Sequence, residues 1–256
     1  MNRSRRSARR SVILVFGESD NDRKAIAALV RALCSGVFVR VLPRPLVLLK
    51  NARPDTAPHL ADRLAAAARA EAVRHDVLCV LAHEDADAIE PAHEAVTRKI
   101  EKALAAAGTP GMVHAVVPAW EIEAWWFLWP DLVGSCYPSW QSPAVATPAG
   151  QIREAKERLA KAVRPARISK QDRVRFPDRR ESDSIRIAEA VERSGRVDEP
   201  ARGNCRPSIA FATASPSAVT DQVGRQRERM LPVLTYATPV AARDVIRPTG
   251  PRCSPP

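Results

Sequence analysis

Four short apolar runs set the limits on what this chain can become. Ser11–Phe16 (SVILVF), Val37–Leu42 (VFVRVL), Val77–Ala82 (VLCVLA) and Met112–Val117 (MVHAVV) are rich in β-branched residues and poor in polar ones. A strand with one wet face alternates polar and apolar residues. A continuous apolar run predicts a strand buried on both faces, as in a parallel sheet covered by helices. Helical patterns lie between the runs. Ile26, Leu29, Val30 and Leu33 recur at helical spacing, with Ser19 or Asp20 as the expected cap and Gly36 as the stop. Residues 59–74 are periodic and alanine-rich, and residues 90–107 read as a further helix with Pro91 in its first turn. The order β-α-β-α-β-α-β predicts an α/β fold with a mainly parallel sheet flanked by helices. Trp120–Leu128 predicts a short helix after the last strand.

Beyond residue 130 the pattern loosens, and the expected organisation has four parts. Residues 1–11 form a disordered basic arm and residues 12–133 the α/β domain. Residues 134–213 form a smaller helical subdomain, and residues 214–256 a Pro-rich disordered tail. The helical part holds amphipathic segments at 151–163 and 183–194, the second capped by Ser182 or Asp183. The apolar runs Val77–Ala82 and Ile122–Trp129 fall short of the ~20 residues that cross a bilayer. Val12–Phe16 is too short for the apolar core of a secretory signal, about 7–15 residues. The expectation is a cytoplasmic protein with no membrane partner. The five cysteines show no CxxC, so neither a zinc ribbon nor a disulfide framework is indicated, and Cys34 and Cys79 read as buried.

The net charge of +11 is unevenly spread. Residues 1–11 carry five Arg and no acid, residues 12–150 carry 13 basic and 16 acidic side chains, and residues 151–206 carry 16 and 10. Basic flanks on a mildly acidic centre suit a polyanion such as DNA or RNA. An Arg-rich composition on solvated faces accounts for the same numbers.

In an open α/β sheet, functional groups collect beyond the carboxyl ends of the strands. Here the first run leads to Glu18, the third to Glu84, Asp85 and Asp87, and the fourth to Glu121 and Glu123. Carboxylates crowded on one edge repel and raise one another's pKa unless something positive sits between them. A divalent cation is the economical answer, and oxygen ligands favour Mg²⁺ or Mn²⁺ over zinc. His83 reads as a hydrogen-bonding neighbour, and Trp120, Trp125, Trp126 and Trp129 as residues that pack their helix onto the sheet. There is no GxxxxGK[ST], so an ATP-driven step needs a separate protein, and no GxSxG that would mark a serine hydrolase.

Three segments carry a resemblance: Phe16-Gly17-Glu18-Ser19-Asp20, His83-Glu84-Asp85-Ala86-Asp87, and Val117-Pro118-Ala119-Trp120-Glu121-Ile122-Glu123-Ala124-Trp125. In that order they resemble the Toprim domain of topoisomerases, primases and related nucleases. More narrowly they resemble the bacterial group known as domain of unknown function 4276. Glu181-Ser182-Asp183-Ser184 and Arg206-Pro207-Ser208-Ile209-Ala210-Phe211 also look like that group's later half. The resemblance implies Glu18 as general acid or base beside a scissile phosphate, Asp85 and Asp87 as metal ligands, and Glu123 as an additional ligand. His83, Glu84, Glu121 and Asp20 would stand around them. It also implies a Mg²⁺-dependent nuclease, acting beside a separate ATPase in defence against phage. Tyr137 and Tyr236, the two tyrosines, lie in Pro-rich surroundings, which argues against a topoisomerase nucleophile. A non-catalytic nucleic-acid-binding or complex-forming subunit with a relic metal site is the alternative. A receiver domain with Asp85 as phospho-acceptor predicts a lysine just after the final strand, and the Pro118-Ala119-Trp120-Glu121 that follows the fourth run holds none.

Overall fold

The computed structural model describes residues 9–34, 36–43, 49–164 and 182–197. The expected basic arm up to residue 8, Glu181, residues 206–211 and the Pro-rich tail lie outside the described residues.

The four apolar runs are strands: β1 (Ser11–Phe16), β2 (Phe38–Val41), β3 (Asp76–His83) and β4 (Met112–Val116). All pair in parallel, in the order β2-β1-β3-β4. Both faces of the sheet are covered, as the unbroken apolar runs require. Ile13 and Val15 point to a core shared with α1 (Asp20–Leu33). Val12, Leu14 and Phe16 point to a second core against α2 (Ala57–Ala72) and α3 (His93–Ala106). Ser19 caps α1, its hydroxyl oxygen accepting from the Asp22 amide. The crossover that leaves β1 therefore runs on one face and the crossover that leaves β3 on the other. Between these neighbouring strands lies the switch point of the sheet, the crevice where open α/β folds place ligands.

The helical segments of the second half close over the α1 face. These are α4 (Glu123–Trp126), α5 (Pro130–Ser135), a 3-10 turn at Ala149–Gln151, α6 (Ala155–Ala162) and α7 (Asp183–Ser194). Leu159, Ile187 and Val191 join the same core as Ile26 and Trp126. Arg31 of α1 donates both Nε and Nη2 to the Glu192 carboxylate at 2.8 Å, tying α7 to α1. Cys34 and Cys79 are buried, as expected.

Three boundaries differ from expectation. The third long helix begins at His93, so Pro91 precedes it and does not sit in its first turn. The tryptophan-rich helix is only Glu123–Trp126, because Trp120 adopts φ 66° and the segment before Glu123 is loop. The helix expected from residue 151 starts at Ala155, after the 3-10 turn. Among the described residues, no helix is long and apolar enough to cross a membrane.

His93 is buried at the start of α3, with Nδ1 lacking a hydrogen-bond partner among the described residues. Burial pulls its pKa below the ordinary 6.5, against the opposing charge of Glu94. The folded pKa is thus depressed for a cationic group, so its contribution is full above about pH 6.5 and falls as acid protonates the unfolded chain preferentially. Melting temperature is expected to drop between about pH 7 and pH 5. His93→Gln should flatten that drop, and an identical slope in the variant would count against the assignment.

Candidate functional site

The site is assembled by register. Phe16 stands opposite Ala82, so Gly17-Glu18 and His83-Glu84-Asp85 leave the sheet side by side. Gly17 has to be glycine for a steric reason. A Cβ there would fall 2.7 Å from Cγ of Arg23 and 3.4 Å from Cβ of His83. The Arg23 stem lies against this turn, and its Nη2 donates to Asp20 Oδ1 at 3.1 Å. The loops after β3 and β4 are zipped together by backbone bonds. Ala86 N donates to Pro118 O, Asp87 N to Trp120 O, and Trp120 N to Ala88 O. Asp87, at φ 52°, and Trp120 both take the left-handed conformation that this pairing needs.

Glu18 and Asp85 meet directly: the Asp85 amide donates to Glu18 Oε2 at 3.2 Å. The Asp85 carboxylate turns the other way. Its Oδ1 accepts from the Ile122 amide at 3.2 Å and lies 3.3 Å from His83 Nε2. His83 is 2% exposed. Burial disfavours its charge, but Asp85, with Asp22 and Glu18 nearby, outweighs that and raises its pKa above 6.5. Asp87 lies at the solvent rim.

Between these acids stands a residue that the sequence did not single out. Lys50 Nζ donates to the Asp85 carbonyl at 2.6 Å and to Asp87 Oδ2 at 2.8 Å, and lies 3.5 Å from Glu18 Oε2. Its side chain is 8% exposed. Burial works against its charge, yet the three acids hold its pKa above the ordinary value. The positive group that crowded carboxylates require is therefore present in the chain itself. Lys50 is 32 residues from Glu18 in a loop without periodicity, and only its isolation as a cation among apolar neighbours could have marked it.

The other acids have distinct places. Glu84 is 5% exposed and grips the backbone of the lysine segment, Oε1 accepting from Leu49 N and Oε2 from Lys50 N, both at 2.7 Å. Burial raises its pKa, with the two amides and Lys50 opposing. Glu121 accepts from the Lys156 amide at the start of α6. Burial and the charges of Glu123 and Asp85 raise its pKa, that amide opposing. Glu123 is buried against α7, where Ser184 Oγ donates to its Oε1 at 3.5 Å and Trp126 Nε1 donates to Ser184 Oγ at 3.1 Å. Asp20 is solvent-exposed, its pKa lowered by Lys24 and Arg23. Trp125, Trp126 and Trp129 are buried and pack, as expected.

The fit to a divalent cation can be judged from the donors. Among the described residues, no group of three or more His, Cys, Asp or Glu side chains is arranged to hold a metal. Two carboxylate oxygens and one carbonyl oxygen do converge on a single point, which suits a hard cation such as Mg²⁺ or Mn²⁺. That point is the position of the Lys50 ammonium. Comparison with family models, with curated proteins and with solved structures finds no match to this chain.

Proposed function

We propose that the Glu18–Asp85–Asp87 edge is a phosphodiesterase site, acting on DNA or RNA with Mg²⁺ or Mn²⁺. The observation that carries this reading is the meeting of Glu18, Asp85 and Asp87 at the carboxyl ends of β1 and β3, where the crossovers switch from one face of the sheet to the other. Glu18, Asp87 and the Asp85 carbonyl are the groups that would hold the ion. Bound there, the ion would neutralise charge developing on the phosphoryl group. Glu18, partly exposed, would move the proton of the attacking water. His83 holds the Asp85 carboxylate in place. The basic stretches at 1–11 and 151–206 support a polyanionic substrate. By the Toprim resemblance, a separate ATPase and a role in phage defence belong to the same proposal, as does a cytoplasmic location.

A second reading has its own observation. Lys50 already neutralises the acids, as a nucleic-acid-binding or complex-forming subunit with a relic metal site would need. The two readings separate when plasmid DNA and RNA are incubated with the protein in Mg²⁺, in Mn²⁺ and in EDTA. Catalysis predicts metal-dependent cleavage that falls roughly a hundredfold or more in Glu18→Ala and Asp87→Ala. Unchanged nucleic-acid binding by all three proteins, with no cleavage by any, would favour the subunit.

A further inference from the structure

The geometry points to Lys50 as a built-in competitor of the divalent cation: its ammonium occupies the oxygens that the ion needs, and metal enters only as that ammonium leaves. The inference rests on the reading of this edge as a divalent-cation site, and concerns what controls its occupancy.

The first argument is position. Nζ lies 2.6 Å from the Asp85 carbonyl, 2.8 Å from Asp87 Oδ2 and 3.5 Å from Glu18 Oε2. A cation ligated by the same three oxygens cannot share that volume with an ammonium, and two positive charges there would repel. The second argument is tethering. The Lys50 amide is held by Glu84 Oε2, and its carbonyl accepts from Lys99 Nζ at 2.8 Å. Lys99 Nζ also donates to the Ala52 carbonyl at 2.9 Å. With the backbone pinned on both sides, the ammonium can leave only by rotation of its own side chain. It stays within reach of the site and returns when the ion departs.

A third observation shows that Lys50 neutralises the site without completing its bonding. His83 is almost fully buried, and while its Nε2 lies 3.3 Å from Asp85 Oδ1, its Nδ1 has no hydrogen-bond partner among the described residues. Arg23, 6% exposed beside the same turn, leaves Nε and Nη1 equally unpartnered. Buried donors are seldom left so, and a ligand or ordered water is the usual partner. The acidic edge is therefore held by Lys50 rather than filled by it.

The experiment is Mn²⁺ binding to the full chain in metal-free buffer, followed by the electron paramagnetic resonance of free Mn²⁺. Wild type, Lys50→Met, Lys50→Gln and Asp87→Asn are compared, each with its fold checked by circular dichroism. Competition predicts that both Lys50 variants bind Mn²⁺ at least about tenfold more tightly than wild type, while Asp87→Asn binds more weakly. Equal or weaker binding by the Lys50 variants, with Asp87→Asn still impaired, overturns the competition and leaves the metal site standing. No Mn²⁺ binding by any protein overturns the metal site and the competition together. A second measurement needs no variant. The hydrogen-bonded Lys50 ammonium should give a protected nitrogen resonance in EDTA, and that resonance should be lost as Mg²⁺ saturates the protein. Its persistence at saturation also overturns the competition.

Discussion

Trp126→Ala should cost about 3–5 kcal/mol of stability, the range for truncating a large buried aromatic. Trp126 is fully buried and belongs to the core that joins the sheet, α1, α6 and α7. Its removal leaves a cavity where elements from both halves of the chain meet. It also takes a partner from Ser184, whose hydroxyl links Trp126 Nε1 to Glu123. Folded domains hold only about 5–15 kcal/mol in total, so this one change removes a large share. Trp126→Phe separates the two contributions. It keeps most of the apolar volume and loses the indole donor, so its cost should be about 1–2 kcal/mol. Urea unfolding checks both, read as a lower midpoint at unchanged slope. A Trp126→Ala midpoint indistinguishable from wild type would mean that α7 does not share this core.

Glu84→Ala should cost about 3 kcal/mol, from two lost charge-assisted hydrogen bonds at roughly 1.5 kcal/mol each. The Leu49 and Lys50 amides would lose their acceptor, and Leu49 is buried, so water replaces Glu84 poorly there. The damage should be local first. Hydrogen exchange at these two amides should accelerate well beyond that of the β3 amides. Glu84→Gln should fall between wild type and Ala, since an amide offers one acceptor where the carboxylate offers two. Unchanged exchange at Leu49 and Lys50 in Glu84→Ala would sink the clamp. The variant matters for function because the clamp sets where the Lys50 side chain begins, and so where its ammonium can reach.

These two expectations show where legibility ended. The strands, α1 with its Ser19 cap, α2 and α7 follow from local signals: unbroken apolar runs, helical spacing and a capping hydroxyl. Glu18, Asp85 and Asp87 followed from the same signals, because each comes just after an apolar run and strand ends carry function. Where local signals competed, the boundaries moved. Trp120 has helical neighbours in sequence, but its backbone bonds to Asp87 and Ala88 hold it out of the helix.

The sequence by itself determined that the chain builds a doubly covered parallel sheet with carboxylates beyond its strand ends. Burial on both faces needs continuous apolar runs, and such runs are visible one segment at a time. Only the tertiary structure decided that β1 and β3 are neighbours, which turns separate acids into one edge. Only it decided that Glu84 turns back to hold Leu49 and Lys50, that Glu123 faces Ser184, and that Lys50 stands among the acids. Each is a side chain meeting a residue more than 30 positions away, from a loop or helix end whose direction no local periodicity records. The need for a positive charge was readable from the repulsion of the acids; its source was a matter of packing.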